Sequence, residues 1–334
     1  MTNEFEPTTS TPRVSVVTCF HNRRDHVKVS VGSLLDQSYD DYEVVVVDDA
    51  STDGTWELLQ DLQHPRLKLH RNDTNVGFVH SLLRAIDVAQ GELIAVHGAG
   101  DLSYPRRLEQ QVAFLDTNSD YVAVGCHRDV LSPDGMVVSR TTPGPGPITL
   151  ESLLEGNTYS HGEVMYRRQA YEASGGYRAH MRFAQDYDLW LRLCQVGHLG
   201  VVQEVLYGRV AHEDGVSFNP VRVAQQAAFS ELARAMAAGE IPDQAQAIEA
   251  AAKNGVHSVL PVTNARVVAK LRKRVHVLIS LGRWDAAHSL AFEVMQPGWT
   301  NAAETTLVRL ACNVGRLIDS QGNLTRRILA RLRT

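Results

Sequence analysis

The sequence predicts an α/β fold, in which a mainly parallel sheet carries helices on both faces and an α-helical region follows it. Short apolar runs alternate with helical patterns through the first half of the chain, an order that is typical of parallel sheets covered by helices. From about Pro220 the sequence becomes rich in alanine and helical in pattern. We therefore expect a flexible N-terminus at residues 1–12, an α/β domain at 13–219 and a helical domain at 220–334.

The predicted strands are short runs rich in valine or in other apolar residues. Two of them, Val14–Thr18 and Glu43–Val47, are dense in valine, as expected for strands covered on both faces. The series continues with Leu67–His70, Leu93–His97, Tyr121–Gly125, Gly162–Arg167 and a last strand-like run over 201–212. A helical pattern precedes Gly91, which we expect to be the C-cap of that helix.

Other segments predict turns and helices. Prolines and glycines interrupt the chain between Ser132 and Pro147, which indicates a hairpin followed by a loop. In the C-terminal region an apolar stripe predicts a helix that ends at Gly282. The stripe consists of Val267, Leu271, Val275 and Leu278. A second helix completes a helical hairpin, and Asn301 with Glu304 forms a capping box for a third.

Composition argues against several classes of protein. The chain has 334 residues, 44% hydrophobic and 21% charged, as in soluble globular proteins, and its net charge of −5 does not indicate a nucleic-acid binder. The four cysteines stand far apart without a CxxC pair, so we expect neither a disulfide framework nor a zinc cluster, and a reducing cytoplasm fits best. The polar N-terminus and the lack of a long apolar run argue against secretion and membrane spanning.

Charge is distributed unevenly along the chain. Residues 266–334 contain 12 Lys and Arg against 4 Asp and Glu. Two basic amphipathic segments, over 269–278 and 324–333, could face anionic lipid at the inner face of a membrane or an acidic partner. The same pattern is also typical of a solvated helix face, so both interpretations stay open.

Asp48 and Asp49 directly follow a valine run, at the carboxyl end of a predicted parallel strand, where open α/β sheets bind their ligands. Adjacent carboxylates repel each other, so we expect a ligand or a helix N-terminus to take up their charge. Alternatively, Asp49 and Ser51 simply cap a helix that begins near Asp53. The sequence lacks GxGxxG after its first strand and contains no P-loop, HExxH or GxSxG motif. These absences argue against nicotinamide enzymes, P-loop phosphoryl transfer, zinc proteolysis and the usual hydrolases.

Five motifs, in order, resemble those of the inverting glycosyltransferases of family 2. They are VSVVTCFHNRRDHV, YEVVVVDDASTDGT, NVGFVHSLLRAI, GELIAVHGAGDLSYPRRLEQQ and GGYRAHMRFAQDYDLWLRL, and the resemblance covers about residues 14–217. It implies the GT-A fold, with a nucleotide-binding half and an acceptor-binding half. It also implies transfer of a sugar from a nucleotide-sugar donor, with a leaning to UDP, to a glycan or lipid-linked acceptor in polysaccharide biosynthesis.

The resemblance assigns residues to the nucleotide. Cys19, His21 and Asn22 belong to a segment that matches the family's first nucleotide-binding loop. His21 stands where an aromatic ring usually packs on uracil, and a histidine ring still allows stacking. Asp48 and Asp49 match the carboxylates that bind base and ribose, with Asp49 as the expected contact to the base, because a carboxylate accepts a strong hydrogen bond from a ring N–H.

Two further segments are expected to reach the phosphates and the sugar. Asn75 and Gly77 match the N-x-G that opens the next helix, where free backbone N–H groups suit an anion. Residues 156–168 resemble the family's lining of the sugar site, and the resemblance implies a contact of His161 with sugar or diphosphate. Most of this segment could equally be plain strand.

The family's metal-binding element is altered in this chain. The family has an Asp-rich element such as D-x-D-D where HGAGD stands here, so Gly98 and Gly100 replace two acidic residues and Asp101 alone remains. Mg²⁺ and Mn²⁺ prefer oxygen ligands and keep several waters, so Asp101 with two diphosphate oxygens could still bind one, though more weakly. His212 matches a position at which relatives contact the diphosphate or metal, but a lone histidine is often structural.

Inverting transfer needs a carboxylate that takes the proton of the acceptor hydroxyl. In the family this is the Asp of an E-D motif before a D-L-W-L-R-L helix, and QDYDLWLRL places Asp186 there with Gln185 beside it. Asp188 lies about 200° further round the helix, so both carboxylates cannot point into one cleft, and a helix-N-terminal charge is its expected role. The structural alternative for Asp186 is a helix cap.

Two other functions stay open at this point. The glycines of HGAGD are compatible with a non-catalytic module that binds a nucleotide-sugar, and the basic C-terminal region is compatible with a scaffold whose helices are the functional part. Asp49, Asp101 and Asp186 all stand at positions that the transfer chemistry requires. The sequence therefore favours a hexosyltransferase.

Overall fold

The computed structural model describes residues 11–211, 219–294 and 306–313. The chain forms two compact units, residues 1–212 and 213–334. Four sequence predictions lie outside the described residues: the flexible N-terminal segment up to residue 10, the role of His212, the capping box of Asn301 with Glu304, and the basic segment 324–333.

The first unit is built on a nine-stranded sheet. In chain order its strands are β1 (Val14–Phe20), β2 (Tyr42–Asp48), β3 (Leu67–Arg71), β4 (Leu93–Val96), β5 (Leu102–Ser103), β6 (Tyr121–Leu131), β7 (Val137–Thr141), β8 (Met165–Arg167) and β9 (His198–Val210). The spatial order is β3-β2-β1-β4-β8-β6-β9-β5, with β7 added to β6. β1 to β4 pair in parallel, as do β6 and β9. β8 joins these halves by pairing antiparallel with both β4 and β6.

Helices cover both faces of the central strands, as predicted. The helices of this unit are α1 (Val27–Leu35), α2 (Thr55–Asp61), α3 (Phe78–Val88), α4 (Arg107–Thr117), α5 (Leu150–Glu155), α6 (Arg168–Ala173) and α7 (Gln185–Leu193). Every residue of β1 and β2 is buried. Because successive side chains of a strand point to opposite faces, this burial requires cover on both sides. The valine runs therefore form the centre of the core.

Two local predictions needed correction. Gly91 is not a C-cap, because α3 ends at Val88 and its cap is Ala89. Gly91 lies instead against β1, where a Cβ would come within 2.5 Å of the Ser15 nitrogen. Only the last three residues of the run 162–167 form a strand, since a short 3₁₀ helix, His161–Glu163, precedes it. The hairpin predicted near Ser132 is confirmed by the antiparallel pairing of β6 and β7.

The second unit is helical in its described residues. It contains α8 (Pro220–Ala237), α9 (Gln244–Asn254), α10 (Ala265–Ser280) and α11 (Trp284–Ser289), a π-helical turn at Leu290–Val294, and a helix at 306–313. The predicted apolar stripe of α10 is buried, and Gly282 follows the helix with a φ of +68°, which confirms both predictions. Across the described parts of the chain, no helix combines the length and apolar character needed to cross a membrane.

Candidate active site

Asp48 is the last residue of β2, at the carboxyl edge of the sheet. It is fully buried. Its Oδ2 accepts a hydrogen bond from the backbone N–H of Ser51 (3.2 Å) and lies 3.3 Å from Nε of Arg71. The capping alternative for this region is wrong in detail: α2 begins after Gly54, and Asp53 accepts the first helical N–H, from Thr55. Asp48 thus holds the turn that follows β2.

Asp49 holds the loop that leads into α3. Its Oδ1 accepts from Asn72 Nδ2 (2.8 Å) and Val76 N (2.9 Å), and its Oδ2 accepts from Gly77 N (2.8 Å). Burial alone would raise the pKa of Asp49, but these hydrogen bonds hold it below its ordinary value. The N–H of Gly77 is therefore not free for an external anion, because a carboxylate of the protein already accepts from it. The contact of Asn75 and Gly77 with the donor stays a prediction.

The loop after β1 lies beside these groups. Cys19 is buried within the strand, and burial raises the pKa of its thiol. The exposed ring of His21 is held at both nitrogens: Nδ1 lies 2.8 Å from the carbonyl oxygen of Asp49 and Nε2 lies 3.0 Å from Nδ2 of Asn75. Since a carbonyl only accepts, Nδ1 carries the proton. Asn22, with a φ of +50°, bonds the loop to the turn after β2.

Asp186 lies in the first turn of α7, directly after Ala184 and Gln185. Ala184 has a left-handed φ of +55°, so the helix starts with a sharp change of direction. The Nδ2 of Asn157 donates to Oδ2 of Asp186 at 3.4 Å. His161 is close by: burial lowers its pKa, and the charge of Asp186 opposes that shift. The carboxylate therefore lies near a histidine and a side-chain amide.

One aromatic contact connects these two parts of the site. Phe78, the first residue of α3, packs edge to face against His161, with ring centroids 5.7 Å apart. Phe78 directly follows Gly77, whose N–H binds Asp49. A short run of contacts thus leads from Asp49 through Phe78 and His161 to the surroundings of Asp186. The structure brings these predicted residues to one region of the first unit.

Asp101 points into the protein. Its Oδ2 accepts from the hydroxyl of Tyr207 (2.7 Å) and its Oδ1 accepts from Val210 N (2.9 Å). The Tyr207 hydroxyl in turn accepts from Gly98 N (3.0 Å). Burial raises the pKa of Asp101 to about 6. Both carboxylate oxygens of Asp101 thus accept hydrogen bonds from β9, the strand that carries Tyr207 and Val210.

The side chains at this element do not fit a divalent cation. Mg²⁺ and Mn²⁺ need oxygen ligands from carboxylates, but Gly98 and Gly100 supply none, and both oxygens of Asp101 are engaged. Within the described ranges, no group of three or more His, Cys, Asp and Glu side chains is placed to hold a metal ion.

Sequence reasoning missed a buried polar network below the site. Arg107 donates to the carbonyl of Val96 (2.8 Å) and Gln111 donates to that of Glu163 (2.7 Å). Glu163 forms a 2.7 Å ion pair with Arg128, although burial raises the pKa of Glu163 to about 7. The available signal was the four-residue spacing of Arg107 and Gln111, which puts both on the same helix face.

Replacing Asp101 with asparagine will change how stability depends on pH. The folded-state pKa of about 6 lies above the ordinary 3.8, so this proton stabilises the folded state below about pH 4, and the effect is lost as pH rises through 6. As the pH rises from about 4 through 6, we expect the free energy of unfolding of the wild type to fall by about 1–3 kcal/mol relative to that of D101N. Urea denaturation at several pH values measures this change. A pH-independent difference between the two proteins would contradict this expectation.

The sequence of this chain is similar to those of known glycosyltransferases. The family model described as Glycosyl transferase family 2 matches residues 15–175. EpsE of Bacillus subtilis (strain 168), which is named as a glycosyltransferase, is 38% identical to this chain over 207 residues. The match covers 59% of this chain and 73% of EpsE. The Escherichia coli UDP-Glc:alpha-D-GlcNAc-diphosphoundecaprenol beta-1,3-glucosyltransferase WfaP is 22% identical over 188 residues, 55% of this chain and 71% of WfaP.

Solved structures extend the similarity to the fold. S. aureus TarS 1–349 in complex with UDP-GlcNAc has a TM-score of 0.57 at 16% identity, covering 91% of this chain and 92% of that one. Mannosyltransferase PcManGT from Pyrobaculum calidifontis, in complex with GDP-Man and Mn²⁺, has a TM-score of 0.54 at 22% identity, covering 93% and 88%. At these identities the likeness shows a shared architecture.

Proposed function

Because the chain belongs to glycosyltransferase family 2, has the GT-A fold and is a transferase enzyme, we propose that it moves a hexose from a UDP-sugar to a hydroxyl of a glycan or lipid-linked acceptor, with inversion. The leaning to UDP is supported by TarS, which was solved with UDP-GlcNAc, and by WfaP, whose name states a UDP-glucose donor. The name of WfaP also states a diphosphoundecaprenol-linked acceptor, which supports a lipid-linked acceptor for this chain.

The donor's nucleotide is proposed to lie at the carboxyl edge of β1 and β2. The exposed ring of His21 is fixed at both nitrogens, so it offers a preoriented face for uracil at little entropic cost. Asp49 organises the loop 72–77 through its three hydrogen bonds. In this proposal Asp49 acts mainly as a positioning residue, and its expected contact with the base stays a prediction.

Asp186 is the proposed general base. In a single displacement the acceptor hydroxyl passes its proton to the carboxylate while its oxygen forms a bond to the anomeric carbon. The bond from that carbon to the diphosphate breaks, and the nucleoside diphosphate leaves with the electron pair. The Nδ2 of Asn157 lies 3.4 Å from Oδ2 of this carboxylate and donates to it. The observation that carries the proposal has three parts: Asp49 binds the N–H of Gly77, the next residue Phe78 packs against His161, and the charge of Asp186 counteracts the burial that lowers the pKa of His161.

GT-A glycosyltransferases commonly use a divalent cation, and PcManGT was solved with Mn²⁺. Such an ion would supply positive charge to the leaving diphosphate. The residues expected to hold Mn²⁺ or Mg²⁺ in this chain are Asp101 and His212. Of these two, Asp101 lies within the described residues, and both of its carboxylate oxygens accept hydrogen bonds from β9. The proposed displacement therefore uses only groups of this chain.

A cytoplasmic location, with peripheral contact at the inner face of a membrane, completes the proposal. A lipid-linked acceptor would be presented at such a surface. Within α10, however, Arg266 and Lys270 lie 3.9 Å and 3.3 Å from the buried carboxylate of Glu231 in α8. Those two cations serve the packing of the second unit, so any lipid contact would rest on other basic residues.

A panel of nucleotide-sugars tests the proposed function. A donor that binds only the folded state at free concentration L adds RT ln(1 + L/Kd) to the free energy of unfolding and so raises the melting temperature, and we expect UDP-sugars to do so. The stabilising donor should then release UDP when acceptors are added. Stabilisation without transfer or donor hydrolysis would support the non-catalytic module instead. Failure of every donor to stabilise the protein would reject both.

A further inference from the structure

The loop 97–101 excludes carboxylates from the two positions where the family has them. A Cβ on Gly98 would lie 2.4 Å from Oδ2 of Asp101, closer than any real contact. Gly100 has a φ of +107°, a conformation that residues with a side chain rarely adopt. A side chain at position 98 would therefore displace the carboxylate of Asp101 from its present contacts, and one at position 100 would strain the backbone of the loop.

The same loop is locked to β9 by Tyr207. The Tyr207 hydroxyl donates to Asp101 and accepts from Gly98 N. On its other side, a Cβ on Gly162 would lie 1.9 Å from that hydroxyl oxygen. The ring also packs against His97 and under the guanidinium of Arg107. Backbone and aromatic groups thus fill the space beside Asp101.

Arg209 offers a positive charge at this position. It lies in β9 two residues after Tyr207, so the two side chains point to the same face of the sheet. The residue directly after it, Val210, donates its backbone N–H to Oδ1 of Asp101 (2.9 Å), so Arg209 is anchored beside the loop. In agreement with this position, its charge favours the ionised form of Asp101 and so lowers the pKa of that carboxyl. It is partly exposed, and within residues 11–211 and the other described ranges its side chain forms no hydrogen bond or ion pair, while its backbone pairs with Val130 of β6.

From these observations we propose that the donor's diphosphate is bound without a divalent cation, its charge being met by the guanidinium of Arg209. The inference rests on the proposed function, because it concerns the leaving group of that reaction. Displacement leaves negative charge on the diphosphate, and a preorganised cation near that charge stabilises the transition state. A guanidinium also suits phosphate oxygens through paired hydrogen bonds.

Titration calorimetry of the full chain with UDP tests the first half of this proposal. The Kd of UDP should agree within about threefold between buffer with excess EDTA and buffer with millimolar Mn²⁺. Binding at least tenfold tighter with Mn²⁺ would overturn the inference and leave the transferase proposal standing. Absence of UDP binding in both buffers would overturn both proposals.

Variants of Arg209 test the second half in the same buffers. Arg209→Gln should weaken UDP binding by about 10- to 100-fold, as expected for the loss of a charged hydrogen-bond donor, while Arg209→Lys should retain part of the affinity. Arg66→Gln is the matched control, since Arg66 precedes β3 at the opposite edge of the sheet and pairs with exposed Asp40. UDP affinity of Arg209→Gln equal to that of Arg66→Gln would overturn the role of Arg209.

Discussion

Replacing Asp186 with asparagine will reduce sugar transfer by about 10²- to 10⁴-fold, the usual contribution of a general base. Asparagine has nearly the same shape but cannot take a proton, so the loss should fall on kcat. The donor's Kd should stay within about twofold of the wild-type value, because Asp186 is proposed to act on the acceptor. Initial rates with a donor identified by the panel, together with calorimetric Kd values, measure both quantities.

Glu151→Gln provides a matched control for this variant. Glu151 is also an acidic residue in the first turn of a helix, α5, and it is exposed. The substitution removes a helix-N-terminal charge without touching the proposed base, so its transfer rate should equal that of the wild type. If D186N retained transfer within fivefold of E151Q, Asp186 would not be the base.

Replacing Asp49 with alanine will destabilise the first unit and abolish donor binding. Its carboxylate accepts three hydrogen bonds, from Asn72, Val76 and Gly77, and alanine would leave all three donors without that acceptor. Hydrogen bonds to charged groups contribute about 1.5–3 kcal/mol each and are not additive, so we expect a loss of roughly 3–5 kcal/mol in the free energy of unfolding. Urea denaturation measures this loss.

Asp73 lies in the same loop and supplies the control. It is exposed, and Asp73→Ala should change the free energy of unfolding by less than about 0.5 kcal/mol. The loss in the free energy of unfolding for Asp49→Asn should lie between those for D49A and D73A. In that variant the amide oxygen still accepts hydrogen bonds, but the amide NH₂ faces the N–H of Gly77, and two donors cannot bond to each other. A D49A protein as stable as D73A would show that the carboxylate does not organise the loop.

The central strands and the order of the fold could be predicted because their signals are local. The valine runs of β1 and β2 require cover on both faces, and every residue of these strands is buried. The apolar stripe of α10 is equally direct, since helical spacing determines which face is buried. Gly91 misled the prediction because its role is set by Ser15, a residue far away in sequence.

The detailed use of the site residues could not be predicted, because it depends on contacts between distant segments. Asp49 matched a ligand-binding motif, yet its hydrogen bonds to the loop 72–77 come from more than twenty residues away. Asp101 bonds Tyr207 across 106 residues. A sequence motif shows that a carboxylate stands at the sheet edge, whereas only the packed structure shows which of its oxygens are already engaged.

A crystal structure of the full chain with UDP tests the central claim most directly. The claim is that one cleft at the carboxyl edge of β1 and β2 holds the nucleotide with Asp186 facing its distal phosphate. We predict uracil against the ring of His21 and the distal phosphate between Arg209 and the side of the cleft that carries Asp186. UDP bound at another face of the first unit, or bound here with the Asp186 carboxylate turned away from the cleft, would contradict the account.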